Sequence, residues 1–197
     1  SYMFSEIKKI SSLLLSVAFS SIGFIASITV TVLAAREVSS NPLFVGFPNA
    51  VGVGGAVLGT RMIYLISKTN SQLNALAFTF LIGAFGGAIM FYSLIIDSFL
   101  LLLLGAFILG IGQSATLQTR YAASFVAGTK FKATALSLAV WFSVFGSVFG
   151  PRMVGSYSNF FENIFNSELI VGYVIAFVGM LFAAASLFTF TSKKSIL

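Results

Sequence analysis

Long apolar stretches alternate with short polar breaks along the whole chain. The apolar stretches cover residues 10–35, 43–67, 73–96, 99–121, 133–157 and 169–191. Each is long enough to cross a bilayer as a helix, which takes about 20 apolar residues. The breaks are only two to eleven residues long, so consecutive helices must run antiparallel as neighbours. The pattern predicts an all-α polytopic membrane protein, with six transmembrane helices in a single domain over residues 1–197.

The composition favours lipid over water as the surrounding medium. Only 8% of the 197 residues are charged and 58% are hydrophobic, whereas a soluble domain carries about a quarter charged residues. In a soluble protein, the net charge of +6 would suggest a nucleic-acid partner. In a membrane protein, basic residues collect in the cytoplasmic loops. We therefore expect the lipid bilayer, and no nucleic acid, as a partner.

The lysines predict the orientation. All seven fall on one side of the membrane if both termini are cytoplasmic, and they are Lys8, Lys9, Lys68, Lys130, Lys132, Lys193 and Lys194. Four of the five acidic residues then fall on the other side. Because the lysine bias sets orientation, we expect a multi-pass plasma-membrane protein with cytoplasmic N- and C-termini. The first apolar stretch exceeds the apolar core of a signal peptide, so we expect it to remain as the first helix.

The residue types present make catalysis an unpromising function. The chain has no cysteine and no histidine, which removes thiolate nucleophiles and the commonest metal ligand. All five acidic residues lie at the ends of the apolar stretches or between them. We therefore expect no enzymatic activity, no cofactor and no metal site. Glu37 is the nearest candidate for a proton-coupling carboxylate, and a solvated loop charge is its simpler interpretation.

Polar and small side chains concentrate on predicted helices 1, 2, 4 and 5. Hydrocarbon offers them no hydrogen-bond partners, so they should face other helices or water. The candidates for lining a solute cavity are Asn49, Gln113, Thr116, Arg120 and Trp141. The candidates for charges at its inner mouth are Arg61 and Lys68. Helix packing is the alternative interpretation for the small residues, and snorkelling to the interface is the alternative for Arg61 and Arg120.

Residues 110–155 resemble helices 4 and 5 of the major facilitator superfamily. They read GIGQSATLQTRYAASFVAGTKFKATALSLAVWFSVFGSVFGPRMVG. The residues Gly146, Gly150, Pro151 and Gly155 resemble the helix-5 motif gxxxGPxxGG of drug/proton antiporters, with Val154 replacing one glycine. The resemblance implies that this element bends helix 5 and helps to seal the outer side. Residues 68–72 depart from the family pattern between helices 2 and 3, where only Lys68 keeps a charge.

Carriers of this superfamily bind their solute between two six-helix bundles. The resemblance therefore implies a half-size carrier of a small solute, working by alternating access, with efflux suggested by helix 5. Such a half would pair with itself or with a second six-helix half, unless the chain is a fragment of a twelve-helix protein. The alternative is a non-transporting structural subunit of a larger membrane complex. The altered loop at residues 68–72 and the lack of acids in mid-membrane favour that alternative.

Overall fold

The computed structural model describes the backbone of residues 2–194 and the side chains of residues 10–189. That part of the chain folds into six α-helices, which are α1 Tyr2–Val38, α2 Phe47–Ser67, α3 Gln72–Ile95, α4 Phe99–Val126, α5 Lys132–Phe165 and α6 Ile170–Lys194. Each helix is long and apolar enough to cross a membrane. The predicted all-α fold of six transmembrane helices is confirmed.

The helices do not end where the apolar stretches end. Helix α4 continues to Val126 and α5 to Phe165, beyond the predicted ends at residues 121 and 157. Helix α4 stops just before Gly128, at φ 77°, and α5 stops at Asn166, at φ 55°. These residue types accept the left-handed conformation that terminates a helix. Hydropathy thus predicts the apolar part of each helix, whereas the backbone of the following residues decides where the helix stops.

The start of α2 also differs from the prediction. Residues Pro42–Phe44 form a short 3-10 turn, and α2 itself begins at Phe47. The side chain of Asn41 caps this turn by accepting a hydrogen bond from the backbone N–H of Leu43, at 3.0 Å. The predicted second stretch therefore contains a capped turn followed by a helix.

Four helices form the centre of the bundle and two flank it. Helix α1 packs on α6, α6 on α3, α3 on α4, and α4 on α1, while α2 packs mainly on α4 and α5 mainly on α1. In the most apolar window of each helix, only 17% of α2 and 22% of α5 are buried, against 50–56% in the other four. Helices α2 and α5 therefore leave most of their surface free for lipid or for another bundle.

The contacts between helices repeat with a period of three helices. The extensive pair α1 with α6 corresponds to α4 with α3, and the pair α1 with α5 corresponds to α4 with α2. If α1, α2 and α3 are exchanged with α4, α5 and α6 in that order, each of the principal helix contacts is replaced by another principal contact. The chain therefore contains two equivalent three-helix units, as many transporter folds do, although no residue-level repeat is visible in the sequence.

Glycines allow the helices to approach each other closely. A Cβ atom added at Gly55 on α2 would overlap the backbone carbonyl oxygen of Phe107 on α4, and one added at Gly83 on α3 would lie 2.7 Å from Cα of Gly112 on α4. Similar close approaches occur at Gly23, Gly59, Gly86, Gly105 and Gly179. Because lipid gives no hydrophobic drive for helix association, close packing of small residues takes its place. The small-residue stripes of the sequence therefore lie at helix contacts.

Candidate functional site

A polar groove lies between α1, α4 and α5. Its volume is about 150 Å³, and its lining residues are Ser21, Phe24, Ile25, Gln113, Arg120, Ser143, Val144 and Ser147. We call it the α1–α4–α5 groove. It contains two of the five side chains that the sequence predicts to line a cavity, Gln113 and Arg120. The groove is therefore the strongest candidate for a solute-facing surface among the described residues.

Gln113 and Arg120 lie on the same side of α4. They are seven residues apart, which is about 10 Å along a helix and nearly two full turns. Both Oε1 of Gln113 and Nε of Arg120 are buried without a hydrogen-bond partner. One atom is an acceptor and the other a donor. Buried polar atoms in proteins are nearly always paired, so these two atoms are exceptions within the described part of the bundle.

Thr116 lies between these two residues in sequence but faces a different neighbour. It is fully buried, and its hydroxyl donates a hydrogen bond to Oγ of Ser20 on α1, at 2.8 Å. Ser20 donates to the carbonyl oxygen of Ser16 at 2.7 Å, and Ser16 donates to the carbonyl oxygen of Ala183 on α6 at 2.8 Å. These bonds link α4, α1 and α6. Thr116 does not line the groove and instead contributes to helix packing.

The glycines of the helix-5 motif hold α5 against α1 beside the groove. A Cβ atom at Gly146 would lie 2.6 Å from the backbone carbonyl carbon of Ser21, and Gly150 packs on the next turn of α1. Helix α5 continues through Pro151, and Gly155 faces open space. The structure thus gives Gly146 and Gly150 a packing role, whereas the bend at Pro151 stays a prediction.

Comparison with known proteins identifies relatives of this fold. No family model matches the chain, and no solved structure matches it significantly.

Two curated proteins of Bacillus subtilis (strain 168) do match. The uncharacterized MFS-type transporter YdeG is 30% identical over 174 residues, which are 88% of this chain and 40% of that protein. The uncharacterized MFS-type transporter YddS is 30% identical over 183 residues, 93% of this chain and 42% of that protein. The chain is a relative of the major facilitator superfamily.

The match covers one half of a major facilitator carrier. The chain spans about two fifths of the length of both curated relatives, and its six helices fit one six-helix bundle of such a carrier. The groove between α1, α4 and α5 therefore lies within a single bundle.

Two other predicted cavity residues lie outside the groove in this major facilitator bundle. Asn49 is exposed in the first turn of α2, and Trp141 is mostly exposed on α5. Neither is among the groove-lining residues. Their contact with solute stays a prediction that depends on what covers the exposed faces of α2 and α5.

The predicted inner-mouth charges form a small cluster at the end of α2. Nζ of Lys68 lies 4.6 Å from the ring centre of Tyr64, and the guanidinium carbon of Arg61 lies 6.0 Å from the same ring. All three side chains are exposed. They lie apart from the groove lining, and their place at the mouth of a major-facilitator-type cavity stays a prediction.

Sequence reasoning missed three serines of the groove, which are Ser21, Ser143 and Ser147. Ser143 and Ser147 are four residues apart and therefore share one face of α5. That spacing was a detectable signal, but a weak one, because serines in membrane helices often bond to their own backbone. Ser143 does so here, donating to the carbonyl oxygen of Val140 at 2.7 Å.

Proposed function

We propose that this chain forms one six-helix wall of a membrane transporter that moves a small solute by alternating access. The α1–α4–α5 groove is the solute-facing surface. The observation that carries the proposal is the pair of buried, unpartnered atoms in the groove, Oε1 of Gln113 and Nε of Arg120. A site built only for stability would pair these atoms, so their lack of a protein partner supports a role in binding a polar solute.

The packing of the described helices supports the presence of a second six-helix bundle beside this one. Only 17% of the most apolar window of α2 and 22% of that of α5 are buried, and large apolar residues such as Val53 and Val57 on α2 are exposed. A second six-helix bundle, from a further part of a longer chain or from another subunit, fits this arrangement. The names of the two curated relatives favour transport over catalysis, and efflux is the direction favoured by the helix-5 resemblance.

A structural subunit of a larger membrane complex is the second candidate. The observation in its favour is that no carboxylate is among the eight groove-lining residues. A proton-coupled carrier needs a titratable group within the membrane, so coupling would have to come from the other wall or from another ion. Such a subunit would not need a groove that exchanges water with either compartment, and this difference separates the two candidates.

The proposed orientation has both termini in the cytoplasm. Lys68 lies between α2 and α3, Lys130 lies between α4 and α5, and Lys132 is the first residue of α5. Asp97 and Glu168 lie at the opposite ends of the helices. This distribution supports a cytoplasmic position for the lysines. The predictions for Lys8, Lys9, Lys193 and Lys194 lie outside the residues whose side chains the structure describes.

Cysteine accessibility tests the transport proposal. The chain has no cysteine, so Ser147→Cys introduces a unique thiol in the groove, near the middle of α5. We expect this thiol to react with a maleimide in cells that express the protein, because maleimides react with thiolates in water and not in lipid. The matched control is Val178→Cys, which is exposed near the middle of α6 and lies outside the groove.

The two results distinguish a water-filled groove from a lipid-filled one. Labelling of Ser147→Cys without labelling of Val178→Cys supports a solute passage. A thiol at position 147 that stays unreactive from both compartments, while a thiol at Lys68 reacts, would refute the transport proposal. Reaction at Lys68→Cys from the outside of intact cells would overturn the proposed orientation.

A further inference from the structure

We infer that the α1–α4–α5 groove takes an organic anion and that Arg120 binds its negative charge. The inference rests on the proposed function and names the class of solute for the same groove. It does not follow from the likeness to major facilitator carriers, which move solutes of every charge. It follows from an imbalance of charge within the described part of the bundle.

Arg120 is the single charged residue among the eight that line the groove. The other polar side chains there are Gln113, Ser21, Ser143 and Ser147, all of them neutral. An ionised group within a membrane is costly unless it is paired or hydrated. Nε of Arg120 is buried without a hydrogen-bond partner, and Arg120 is one of the residues that line the groove.

The carboxylates of the described residues are far from Arg120. Asp97 precedes α4, and Arg120 lies 21 residues after Phe99, the first residue of that helix. That separation corresponds to about 30 Å along the helix axis. Because consecutive helices run antiparallel, Glu37 at the end of α1, Glu162 near the end of α5 and Glu168 before α6 lie at the same end as Asp97. None of these four can serve as the counter-ion of Arg120.

The shape of the guanidinium suits an anion with two or more oxygens. Its planar fork of N–H groups matches a carboxylate or a phosphate better than a single carbonyl. Gln113 precedes Arg120 by seven residues, which is about 10 Å along the axis of α4. Its Oε1 atom accepts a hydrogen bond and so suits a hydroxyl or N–H group of the same solute. Phe24, Ile25 and Val144 add apolar surface. The solute is thus an organic anion with a hydrogen-bond donor remote from its acidic group.

The charge preference of the groove can be measured without knowing the solute. The Ser147→Cys variant is treated with two methanethiosulfonate reagents, one bearing a sulfonate and one bearing a trimethylammonium group. The ratio of their reaction rates is compared with the ratio for 2-mercaptoethanol in the same buffer. A unit charge about 10 Å away, in a medium of dielectric constant about 40, changes each rate about fourfold. The two reagents carry opposite charges, so the two factors multiply, and we expect the ratio in the groove to favour the anionic reagent by roughly fifteenfold.

Substitution of Arg120 assigns the effect to this residue. In the Ser147→Cys background, Arg120→Gln should return the ratio to the solution value, and Arg120→Lys should keep it, since lysine retains the charge. A ratio equal to the solution value with Arg120 intact would overturn the inference, and it would do so even where Arg120→Gln does not fold. The same solution ratio is expected if a lipid phosphate already neutralises Arg120, and the inference that Arg120 binds a solute is then also overturned.

The outcomes separate this inference from the proposed function. A thiol at position 147 that reacts with neither reagent means that the groove is closed to water, and both proposals then fail. A thiol that reacts with both reagents at the solution ratio keeps the transport proposal and removes the anion. A ratio that favours the anionic reagent but is unchanged in Arg120→Gln assigns the preference to another cation and refutes the role of Arg120.

Discussion

Replacing Gly55 with alanine adds one methyl group to the contact between α2 and α4. A Cβ atom at Gly55 overlaps the carbonyl oxygen of Phe107 and lies 2.8 Å from its carbonyl carbon and 3.2 Å from its Cα. These are backbone atoms, so no side-chain rotation relieves the overlap and the two helices must move apart. The adjacent Gly54 is a matched control, because a Cβ atom there meets only a ring carbon of Phe107 at 3.8 Å.

The expected effect is a loss of stability for Gly55→Ala alone. Overpacking a well-packed contact costs typically about 1–3 kcal/mol. The same movement of α2 also loosens its neighbouring contacts at Gly52 and Gly59. Gly54→Ala has no such overlap and replaces glycine with a better helix former, a gain of up to about 1 kcal/mol. The free energies of unfolding of the two variants should therefore differ by about 1–4 kcal/mol.

Unfolding must be followed by a probe of helix contact. Membrane helices can persist after they separate from one another, so circular dichroism is insensitive to the change. Because the chain has no cysteine, a dye pair on cysteines introduced at the exposed positions Asn70 and Thr129 can report separation of the bundle during titration with SDS. Equal unfolding midpoints for Gly54→Ala and Gly55→Ala would refute the close approach of α2 to α4.

Two further substitutions test the contacts around the groove. Gly146→Ala should cost about 1–3 kcal/mol of unfolding free energy, because its Cβ atom would lie 2.6 Å from the carbonyl carbon of Ser21. Gly155→Ala should be neutral or gain up to about 1 kcal/mol in the same titration, since Gly155 lies within α5 and nothing lies within 4 Å of its Cβ position. A Gly146→Ala protein as stable as this control would contradict the packing role. Thr116→Val removes the hydrogen bond to Ser20 and should cost about 0.6 kcal/mol, the average for such bonds between membrane helices. Unchanged stability together with altered labelling of the groove would instead make Thr116 a solute-facing residue.

The sequence alone determined the fold class and the number of membrane crossings. In hydrocarbon every backbone polar group must be satisfied within the protein, so six stretches of about 20 apolar residues can only be six helices. The apolar pattern did not predict the ends of α4 and α5, because the last residues of these helices, Val126 and Phe165, lie beyond the apolar stretches. There the helix continues until Gly128 or Asn166 permits a left-handed turn.

Only the tertiary structure decided which polar residues face the groove. Gln113 and Thr116 are three residues apart on α4, and the sequence predicts both as solute-facing. The fold turns Gln113 into the groove and places Thr116 against Ser20, while it brings in Ser147, which the sequence did not single out. In a membrane protein, small polar residues serve both helix packing and solute binding. Which of the two applies depends on the neighbouring helix, and that neighbour is fixed by the packing of the whole bundle.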